Sequence, residues 1–349
     1  MTQPALVVIA RDEAPTLARC LESARPFVAE MIVLDTGSSD DTAQIAAACG
    51  ARVIPFAWND DYGAARNAAL AASSADWNLV LDGDEWIDAA QGDVAGILAQ
   101  ACTAAPALGM LPVRLGFDLA GRGLAATAWR PRLLPRGVRY AGAVDEAPTG
   151  ELPQGRIPLW IDNDGMRRPE RAAKRAQRAG LLLAAQAAAP QDARLAYQAG
   201  KLEEARGEHA AAAAHYRHAL GLTAPDAAWR HDLVVRAMFT LKMAGQPEEA
   251  VHLADLEMDN WQDSPDYYFA LGDVLLELAS RNPDTAPEVL PMIEASWLRC
   301  LELGDQPALE GSVSGRGSFL AAHNLAVLYE SQGDAQQAGR FRELASRGA

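Results

Sequence analysis

The sequence has few cysteines, and none of them belongs to a recognisable motif. Cys20, Cys49, Cys102 and Cys300 are scattered over 349 residues. There is no C-x-x-C pair and no histidine at ligand spacing from any of the four, so neither a zinc site nor a disulfide framework is indicated. We predict free, buried thiols in a protein of the reducing cytoplasm.

The sequence also lacks a surplus of basic residues and any long hydrophobic run. The net charge is −15, a balance that repels nucleic acids and anionic lipids and argues against nucleic-acid partners. No stretch approaches the ~20 apolar residues of a membrane span. The first residues, MTQPALVVIARDEAP, do not begin with the basic segment of a secretory signal. We therefore predict a soluble protein with at most peripheral membrane contact.

Strand and helix patterns alternate from the N-terminus to Asp82. Short apolar runs indicate buried strands, and after each of the first three runs apolar residues recur at helical spacing. This alternation predicts an α/β, Rossmann-like domain whose mostly parallel sheet is covered on both faces. The predicted strands span 5–10, 31–35, 52–56 and 78–82. The predicted helices span 15–24 and 62–73, and a third begins at one of residues 38–41 and ends at residue 50. Short pieces between 106 and 165 predict irregular or antiparallel strands added to this sheet.

Alanine-rich, helix-forming sequence follows from Arg167 onward, and it repeats. Units that begin near 193, 231, 265 and 319 fit a helix–turn–helix repeat of about 34 residues, with small residues where paired helices touch. The pattern predicts about four tetratricopeptide-like units. Three prolines interrupt the third unit and predict a lengthened connection there: Pro283, Pro287 and Pro291. We predict two domains, 1–166 and 167–349.

Acidic residues cluster where three of the predicted strands end. Because ligands of open parallel sheets bind at the carboxyl ends of the strands, these residues converge on one edge. Carboxylates held together repel each other, so they are either solvated as a surface turn or placed to hold a cation. The residues are Asp12 and Glu13, Asp35, and Asp82, Asp84 and Glu85.

The sequence Asp82-Gly83-Asp84 is the best candidate for a cation site. Both carboxylates can face one ion, and the glycine lets the backbone approach a ligand closely. Hard oxygen ligands that leave positions open suit Mg²⁺ or Mn²⁺, which would attract a nucleotide diphosphate. We expect Asp84 to be an exposed carboxylate at the rim of the sheet.

Basic residues near this edge allow two interpretations each. Arg66 lies about one turn into a predicted helix, and either braces the carboxylates or contacts a diphosphate in bidentate fashion. A second group, at the domain junction, is either a solvated or bracing face or a contact for an anionic acceptor. Arg130, Arg132, Arg136 and Arg139 flank the later strands, and the junction group is Arg167, Arg168, Arg171, Lys174, Arg175 and Arg178.

Four ordered motifs resemble family 2 glycosyltransferases of the GT-A fold: IVLDTGSSDDT, WNDDYGAARNAAL, DWNLVLDGDEW and RGVRYAGAVDE. The chain most resembles the bacterial subgroup with tetratricopeptide repeats behind the catalytic domain. That subgroup includes peptide S-glycosyltransferases and is related to lipopolysaccharide-core glucosyltransferases.

The resemblance implies an inverting enzyme that uses a nucleotide sugar, UDP-linked, and a divalent metal. Asp35 would contact the base beside the backbone of Ala10 and Arg11, and Glu13 would lie near the ribose. Asp82 would reach the ribose or a metal-bound water, Gly83 would line the donor site, and Asp84 would bind the metal directly. Glu146 would be the carboxylate that deprotonates the acceptor.

The sequence departs from the family pattern at two places. Relatives have His-Glu where this chain has Asp145-Glu146, and a histidine before Gly-Tyr where it reads Asp162-Asn163-Asp164-Gly165-Met166. Either Asp145 or Asp164 replaces a metal-binding histidine, or the metal is held weakly. The second option leads to a different class of protein, a non-catalytic tetratricopeptide scaffold with a degenerate transferase domain.

The repeats add predictions about the acceptor. They would bind a peptide, protein or saccharide acceptor or another partner, or would form a homodimer. Stacked helix pairs curve into a groove. Six aromatic residues either line that groove or fill the core between paired helices: Trp229, Trp261, Tyr267, Tyr268, Trp297 and Tyr329.

Overall fold

The structure is a computed structural model that describes residues 3–119, 121–164, 168 and 172–347. The chain divides into two compact units. One contains residues 1–117 and 128–181, and the other contains residues 118–127 and 182–349. The boundary at residue 166 stays a prediction.

The first unit is built on a mixed sheet whose first half is parallel. Its four strands are β1 (Ala5–Ala10), β2 (Glu30–Asp35), β3 (Arg52–Pro55) and β4 (Trp77–Asp82). They lie in the order β3-β2-β1-β4, and all three pairings are parallel. The predicted α/β alternation is confirmed. Because the strands are parallel, the residues that follow β1, β2 and β4 emerge at the same edge of the sheet.

Antiparallel strands extend this sheet, as the sequence predicts. Beyond β4 the order is β7 (Arg122–Pro135), β6 (Leu108–Leu119), β11 (Ile161–Asn163) and β5 (Glu85–Ile87). The β4–β7 and β11–β5 pairings are antiparallel, whereas β11 runs parallel to β6. β10 (Gln154–Arg156) pairs with β6, and β8 (Arg139–Ala141) with β9 (Ala147–Thr149) forms a separate two-stranded sheet.

Helices cover both faces of the sheet, because its strands carry apolar side chains on both faces. Leu6 and Val8 belong to one core with Leu17 and Leu21, whereas Val7 belongs to another core. Each fully buried Leu or Val stabilises the fold by about 1.5–3 kcal/mol. The helices are α1 (Leu17–Ala24), α2 (Thr42–Ala48), α3 (Tyr62–Ala71), α4 (Val94–Thr103) and α5 (Ala172–Ala188), of which residues 172–181 belong to this unit.

The second unit contains the four predicted helix pairs. In the first, second and fourth pairs, a glycine in the left-handed conformation follows the first helix, at Gly207, Gly245 and Gly333. The pairs are α6 (Ala193–Ala205) with α7 (His209–Leu222), α8 (Arg230–Met243) with α9 (Pro247–Glu257), α10 (Pro265–Arg281) with α11 (Ala286–Leu303), and α12 (Phe319–Ser331) with α13 (Ala335–Ser346).

The expected effect of the three prolines is wrong for two of them. Pro283 lies in the short connection between α10 and α11, but Pro287 and Pro291 lie within α11. Pro287 is tolerated in the first turn because its missing N–H would have no intrahelical partner there, whereas Pro291 lies inside the helix and removes one of its hydrogen bonds. The long connection of this region follows α11 instead, over residues 304–318.

The aromatic residues of the repeats fill the helix-pair cores. Tyr267 is fully buried and Trp297 is 2% exposed. The other four of the predicted set are half-buried and pack against the same cores: Trp229, Trp261, Tyr268 and Tyr329. The geometry favours core filling over a groove lining. No helix among the described residues is both long and apolar enough to span a bilayer.

Candidate functional site

A cavity of about 320 Å³ opens where β1 and β4 end. It collects residues that are distant in sequence, as expected for the carboxyl edge of a parallel sheet. Of the predicted site residues, it brings together Ala10, Arg11, Glu13, Arg66, Asp82, Gly83 and Asp84. The other lining residues are Ile9, Thr36, Trp58, Tyr62, Asn163, Lys174, Arg175, Gln177 and Arg178.

The turn after β4 places two carboxylates at this cavity. Gly83 lies so close to the loop after β1 that an added Cβ atom would sit 3.0 Å from Cγ of Glu13. Asp84 lines the cavity but is only 7% exposed. The expectation of an exposed rim carboxylate is therefore wrong: the turn folds Asp84 inward.

Two buried arginines hold Asp82. Nη2 of Arg66 lies 2.8 Å from Oδ1 of Asp82, and Nη2 of Arg132 lies 2.8 Å from Oδ2. Burial acts to raise the pKa of Asp82, but Arg132 and Arg66 hold it far below its usual range. Arg66 thus braces the carboxylate, the first of its two predicted roles. It also lines the cavity, and its buried Nη1 has no hydrogen-bond partner among the described residues.

Glu85 lies beneath the cavity and supports the same cluster. It is 2% exposed, receives the backbone N–H of Asp82 at 3.0 Å, and pairs with Arg132 at 2.5 Å. Burial raises the pKa of Glu85 to about 7 although Arg132 acts to lower it, and Asp82 adds repulsion. Sequence reasoning placed Arg132 among the arginines that flank the later strands. Its contact with Asp82 depends on the antiparallel pairing of β7 with β4, which no local motif reveals.

Asp145 and Glu146, the predicted catalytic residues, lie beside the cavity and not among its described lining residues. Glu146 has a side chain only 4% exposed and accepts a 2.7 Å hydrogen bond from Nε of Arg66. Burial acts to raise its pKa, and Arg66 and Arg178 nevertheless lower it. Asp145 adopts a left-handed backbone conformation, with φ of 52°. Their catalytic roles stay predictions.

Asp35 organises the loop after β2 and is not one of the described lining residues. Its carboxylate accepts hydrogen bonds from the backbone N–H and the hydroxyl of Ser38, at 3.0 and 2.6 Å. The same hydroxyl accepts the N–H of Asp12. The neighbouring Thr36 lines the cavity instead and donates to the carbonyl of Ala10. Contact between Asp35 and a base stays a prediction.

One face of α5 forms a wall of the cavity. Nζ of Lys174 lies 3.0 Å from Oε1 of Glu13, and Gln177 donates to Asp60. The guanidinium carbon of Arg178 lies 4.9 Å from the centre of the Tyr62 ring. These α5 residues are spaced by three and four positions, which places them on one helix face.

The junction group of basic residues therefore divides. Lys174, Arg175 and Arg178 line the cavity, which favours a ligand contact over a solvated face. Arg168 pairs with Asp164, and Arg167 and Arg171 lie outside the described residues.

Asp164, a suggested replacement for the family histidine, is not one of the described residues that line the cavity. It pairs with Arg19 and Arg168, each at 2.9 Å. Burial acts to raise its pKa, but hydrogen bonds from Arg168 and Arg19 lower it to about 2. Its neighbour Asn163 lines the cavity, whereas Gly165 and Met166 lie outside the described residues.

The donors around Asp84 fit an open metal site and not a closed one. Across residues 3–119, 121–164, 168 and 172–347, no group of three or more His, Cys, Asp or Glu side chains is arranged to hold an ion. Mg²⁺ is commonly bound through one or two carboxylates, with waters and substrate phosphates completing its shell. Both carboxylates line the cavity, but the two oxygens of Asp82 are held by arginines, so Asp84 is the candidate ligand and the metal site stays a prediction.

Comparison with known proteins identifies a domain in this half of the chain. Residues 5–94 match the family model Glycosyl transferase family 2, so the N-terminal part carries a domain of that family. The chain is 54% identical over 85 residues to a TPR repeat-containing protein of Synechococcus elongatus, which covers 24% of this chain and 21% of that protein. It is 37% identical over 92 residues to the succinoglycan biosynthesis protein ExoU of Rhizobium meliloti, which covers 24% of this chain and 27% of that protein. The chain thus spans about a quarter or less of these relatives.

Solved structures resemble each half at a low level of overall similarity. One is glucosyl-3-phosphoglycerate synthase of Mycobacterium tuberculosis with Mn²⁺ and UDP-glucose, at 28% identity and a TM-score of 0.28, which covers 32% of this chain and 43% of that one. Another is YrrB, a TPR protein with a peptide-binding site, at 15% identity and a TM-score of 0.37, which covers 51% of this chain and 79% of that one.

Proposed function

We propose that this protein is a glycosyltransferase that binds a nucleotide sugar, UDP-linked, in the cavity at the carboxyl ends of β1 and β4. The sugar passes, with inversion, to a peptide, protein or saccharide acceptor. One observation carries the proposal: the lining of a single cavity contains carboxylates, from Asp82 and Asp84, together with cations, from Arg66 and Lys174. That combination suits a diphosphate that arrives with a divalent cation.

The ends of β1 and β2 would hold the nucleoside. Backbone at Ala10 and Arg11 lines this part of the cavity, and Thr36 closes it. Asp35 fixes the loop through Ser38 and would contact the base from there. Glu13, next to Gly83 and Lys174, would lie near the ribose.

The charged groups would hold the diphosphate. A divalent ion, Mg²⁺ or Mn²⁺, would bind at Asp84 with Asp82 behind it, and when bound it neutralises charge that develops on the leaving diphosphate. Arg66 is already oriented by Asp82 and Glu146, and its remaining Nη1 group can donate to a phosphate oxygen. Orientation before binding reduces the entropy lost when the donor is held.

The transfer itself needs a base on the acceptor side. The acceptor oxygen or sulfur forms a bond to the anomeric carbon, while the bond from that carbon to the diphosphate oxygen breaks. The nucleoside diphosphate leaves with the electron pair, and the acceptor proton passes to a carboxylate. Glu146 is our candidate base, because it pairs with two residues of the cavity lining and its buried Oε2 has no hydrogen-bond partner among the described residues.

The helix pairs of the second unit would serve the acceptor. We infer that they bind the acceptor or a partner protein, or join two copies of the chain, in a cytoplasmic protein whose catalytic domain ends near residue 166.

Ligand-induced stabilisation tests the proposal. UDP, GDP and TDP sugars are each added to the full chain with and without Mn²⁺, and the melting temperature is followed. A ligand at 100 times its Kd stabilises the folded state by about 2.7 kcal/mol, so a UDP sugar with Mn²⁺ is expected to raise the melting temperature clearly. If no nucleotide sugar changes it, the non-catalytic scaffold becomes the better interpretation.

A further inference from the structure

We propose that the acceptor of this reaction carries a phosphate group, and that Arg175 and Arg178 contact it. This inference rests on the proposed glycosyltransferase function. It concerns the acceptor, whose chemical class the motifs leave open.

The first observation is the position of Arg178. Its guanidinium lies against the ring of Tyr62 and 3.7 Å from Oε2 of Glu146, the candidate base. Its side chain is 47% exposed and lines the cavity. An acceptor whose nucleophile reaches Glu146 therefore passes next to Arg178. Arg175, one position from Lys174 on α5, lines the same cavity.

The second observation is the local charge. The chain as a whole has a net charge of −15, yet the described cavity lining contains more cationic than anionic side chains. Five cations meet three carboxylates there: Arg11, Arg66, Lys174, Arg175 and Arg178, against Glu13, Asp82 and Asp84.

A divalent ion would not remove this surplus, because its charge offsets that of the donor diphosphate. Glu146, which pairs with Arg66 at 2.7 Å and with Arg178 at 3.7 Å, adds one negative charge and reduces the surplus from two to one. The filled donor site thus leaves positive charge on α5 that a second anion would complement.

Phosphate fits this position better than other anions. A guanidinium presents paired donors that match two phosphate oxygens. A phosphate monoester carries about −1.5 to −2 charges at neutral pH, which is enough to neutralise the remaining positive charge. Recognition of this kind places the phosphate on α5 and leaves the hydroxyl or thiol of the acceptor free to approach Glu146.

The test uses the full chain and inorganic phosphate as the probe. In the first experiment the protein is titrated with UDP in the presence of Mn²⁺. In the second, phosphate is added to protein that is saturated with UDP and Mn²⁺. We expect phosphate to bind without displacing UDP. Arg178→Gln should weaken phosphate binding about tenfold or more, the equivalent of one charge-assisted hydrogen bond, and should leave UDP affinity unchanged.

Arg25→Gln is the matched control. Arg25 is also 47% exposed and ion-paired to one carboxylate, that of Glu22, but it is not one of the described lining residues. Its substitution should change neither titration. Arg175→Gln provides a second variant, and melting temperatures without ligand show whether each variant is folded.

The outcomes separate the two proposals. Absence of UDP binding overturns the proposed function, and this inference with it. If UDP binds but phosphate competes with it for the same site, this inference alone is overturned. The same holds if both arginine substitutions leave phosphate binding unchanged. Succinate that binds as tightly as phosphate overturns the choice of phosphate.

The source of the phosphate is distinguished by two further probes. Glucose 6-phosphate represents a soluble phosphorylated saccharide, and vesicles of phosphatidylglycerol in phosphatidylcholine represent a lipid headgroup. Arg178-dependent binding of glucose 6-phosphate supports the soluble source, and Arg178-dependent sedimentation with vesicles supports the lipid source. If neither probe binds in an Arg178-dependent way, the phosphorylated acceptor is overturned.

Discussion

Each unit contains an aspartate held by arginine, and the two clusters differ in one respect that separates a binding site from a structural core. In the first unit Asp82 lies between Arg66 and Arg132. In the second, Nε of Arg236 lies 2.9 Å from both oxygens of Asp232. The side chain of Asp82 is 35% exposed, whereas that of Asp232 is 4% exposed.

The cluster around Asp232 is closed. Tyr197 donates to Asp232, and Arg236 reaches on to Glu204, which also accepts from Tyr216. Every one of these five residues has a hydrogen-bond partner within the cluster. Burial raises the pKa of Tyr197 and Tyr216, so both hydroxyls remain donors at neutral pH.

The cluster around Asp82 is open on one side. Buried Nη1 of Arg66 and Oε2 of Glu146 have no hydrogen-bond partner among the described residues, and Asp82 itself lines the cavity. Unsatisfied buried polar atoms cost stability, and natural proteins retain them mostly where a ligand, water or ion completes the bonding. The same ion-pair chemistry therefore holds helices together in one unit and leaves atoms available to a ligand in the other.

The largest expected effect comes from breaking the closed cluster. Asp232→Asn removes a buried carboxylate that Arg236 and Tyr197 both contact and leaves Arg236 with Glu204 alone, so the free energy of unfolding should fall by about 3 kcal/mol. Asp82→Asn should cost about 1–3 kcal/mol, because Asp82 is partly exposed and its two arginines keep Glu146 and Glu85 as partners. Urea denaturation followed by the helical circular dichroism signal measures both.

The control for these two variants is Asp226→Asn, at an exposed position, which should leave stability unchanged. Equal losses from Asp232→Asn and Asp82→Asn would remove the distinction between a closed and an open cluster.

The second effect concerns catalysis. Asp84→Asn keeps the size of the side chain but removes the charge that would hold a divalent ion. Donor turnover should therefore fall about a hundredfold or more, which corresponds to an activation free energy higher by at least about 2.7 kcal/mol. Release of UDP from a UDP sugar measures this without a known acceptor. Because Asp84 is buried, the asparagine variant perturbs packing less than alanine would.

Asp88→Asn is the matched control for that measurement. Asp88 lies four residues after Asp84 and pairs with Arg114, but it is not one of the described lining residues. Its variant should release UDP at the wild-type rate. Normal turnover by Asp84→Asn would show that the carboxylate is structural.

The smallest effect is a pH dependence beside the cavity. The pKa of Asp164 is lowered from 3.8 to about 2 by Arg168 and Arg19. A lowered folded-state pKa contributes stability that is present above 3.8 and is lost as the pH falls through about 2. The contribution is at most about 2.5 kcal/mol, since one pKa unit equals about 1.4 kcal/mol.

The comparison of wild type with Asp164→Asn checks this sign. The difference in urea midpoint should be constant near neutral pH and shrink toward zero below pH 3.8, the unperturbed value. A difference that grows on acidification would mean that the ion pairs with Arg19 and Arg168 do not form in solution.

Periodicity alone determined the architecture of this protein. Apolar runs of strand length predicted β1 to β4 within a residue or two, because a strand buried on both faces requires continuous apolar sequence. The repeat spacing predicted the four helix pairs, because paired helices approach closely only where small residues recur. The residues at the ends of β1 and β4 could be named for the same reason: parallel strands deliver them to one edge.

Only the tertiary structure decided what those residues contact. The inward turn of Asp84, the pairing of Arg132 with Asp82 and the placement of Arg178 over Tyr62 depend on contacts between segments far apart in the chain. A local pattern records which face of an element is apolar, but it does not record which distant charge will neutralise a buried carboxylate. The pairing of β7 with β4 and the position of α5 settle that choice.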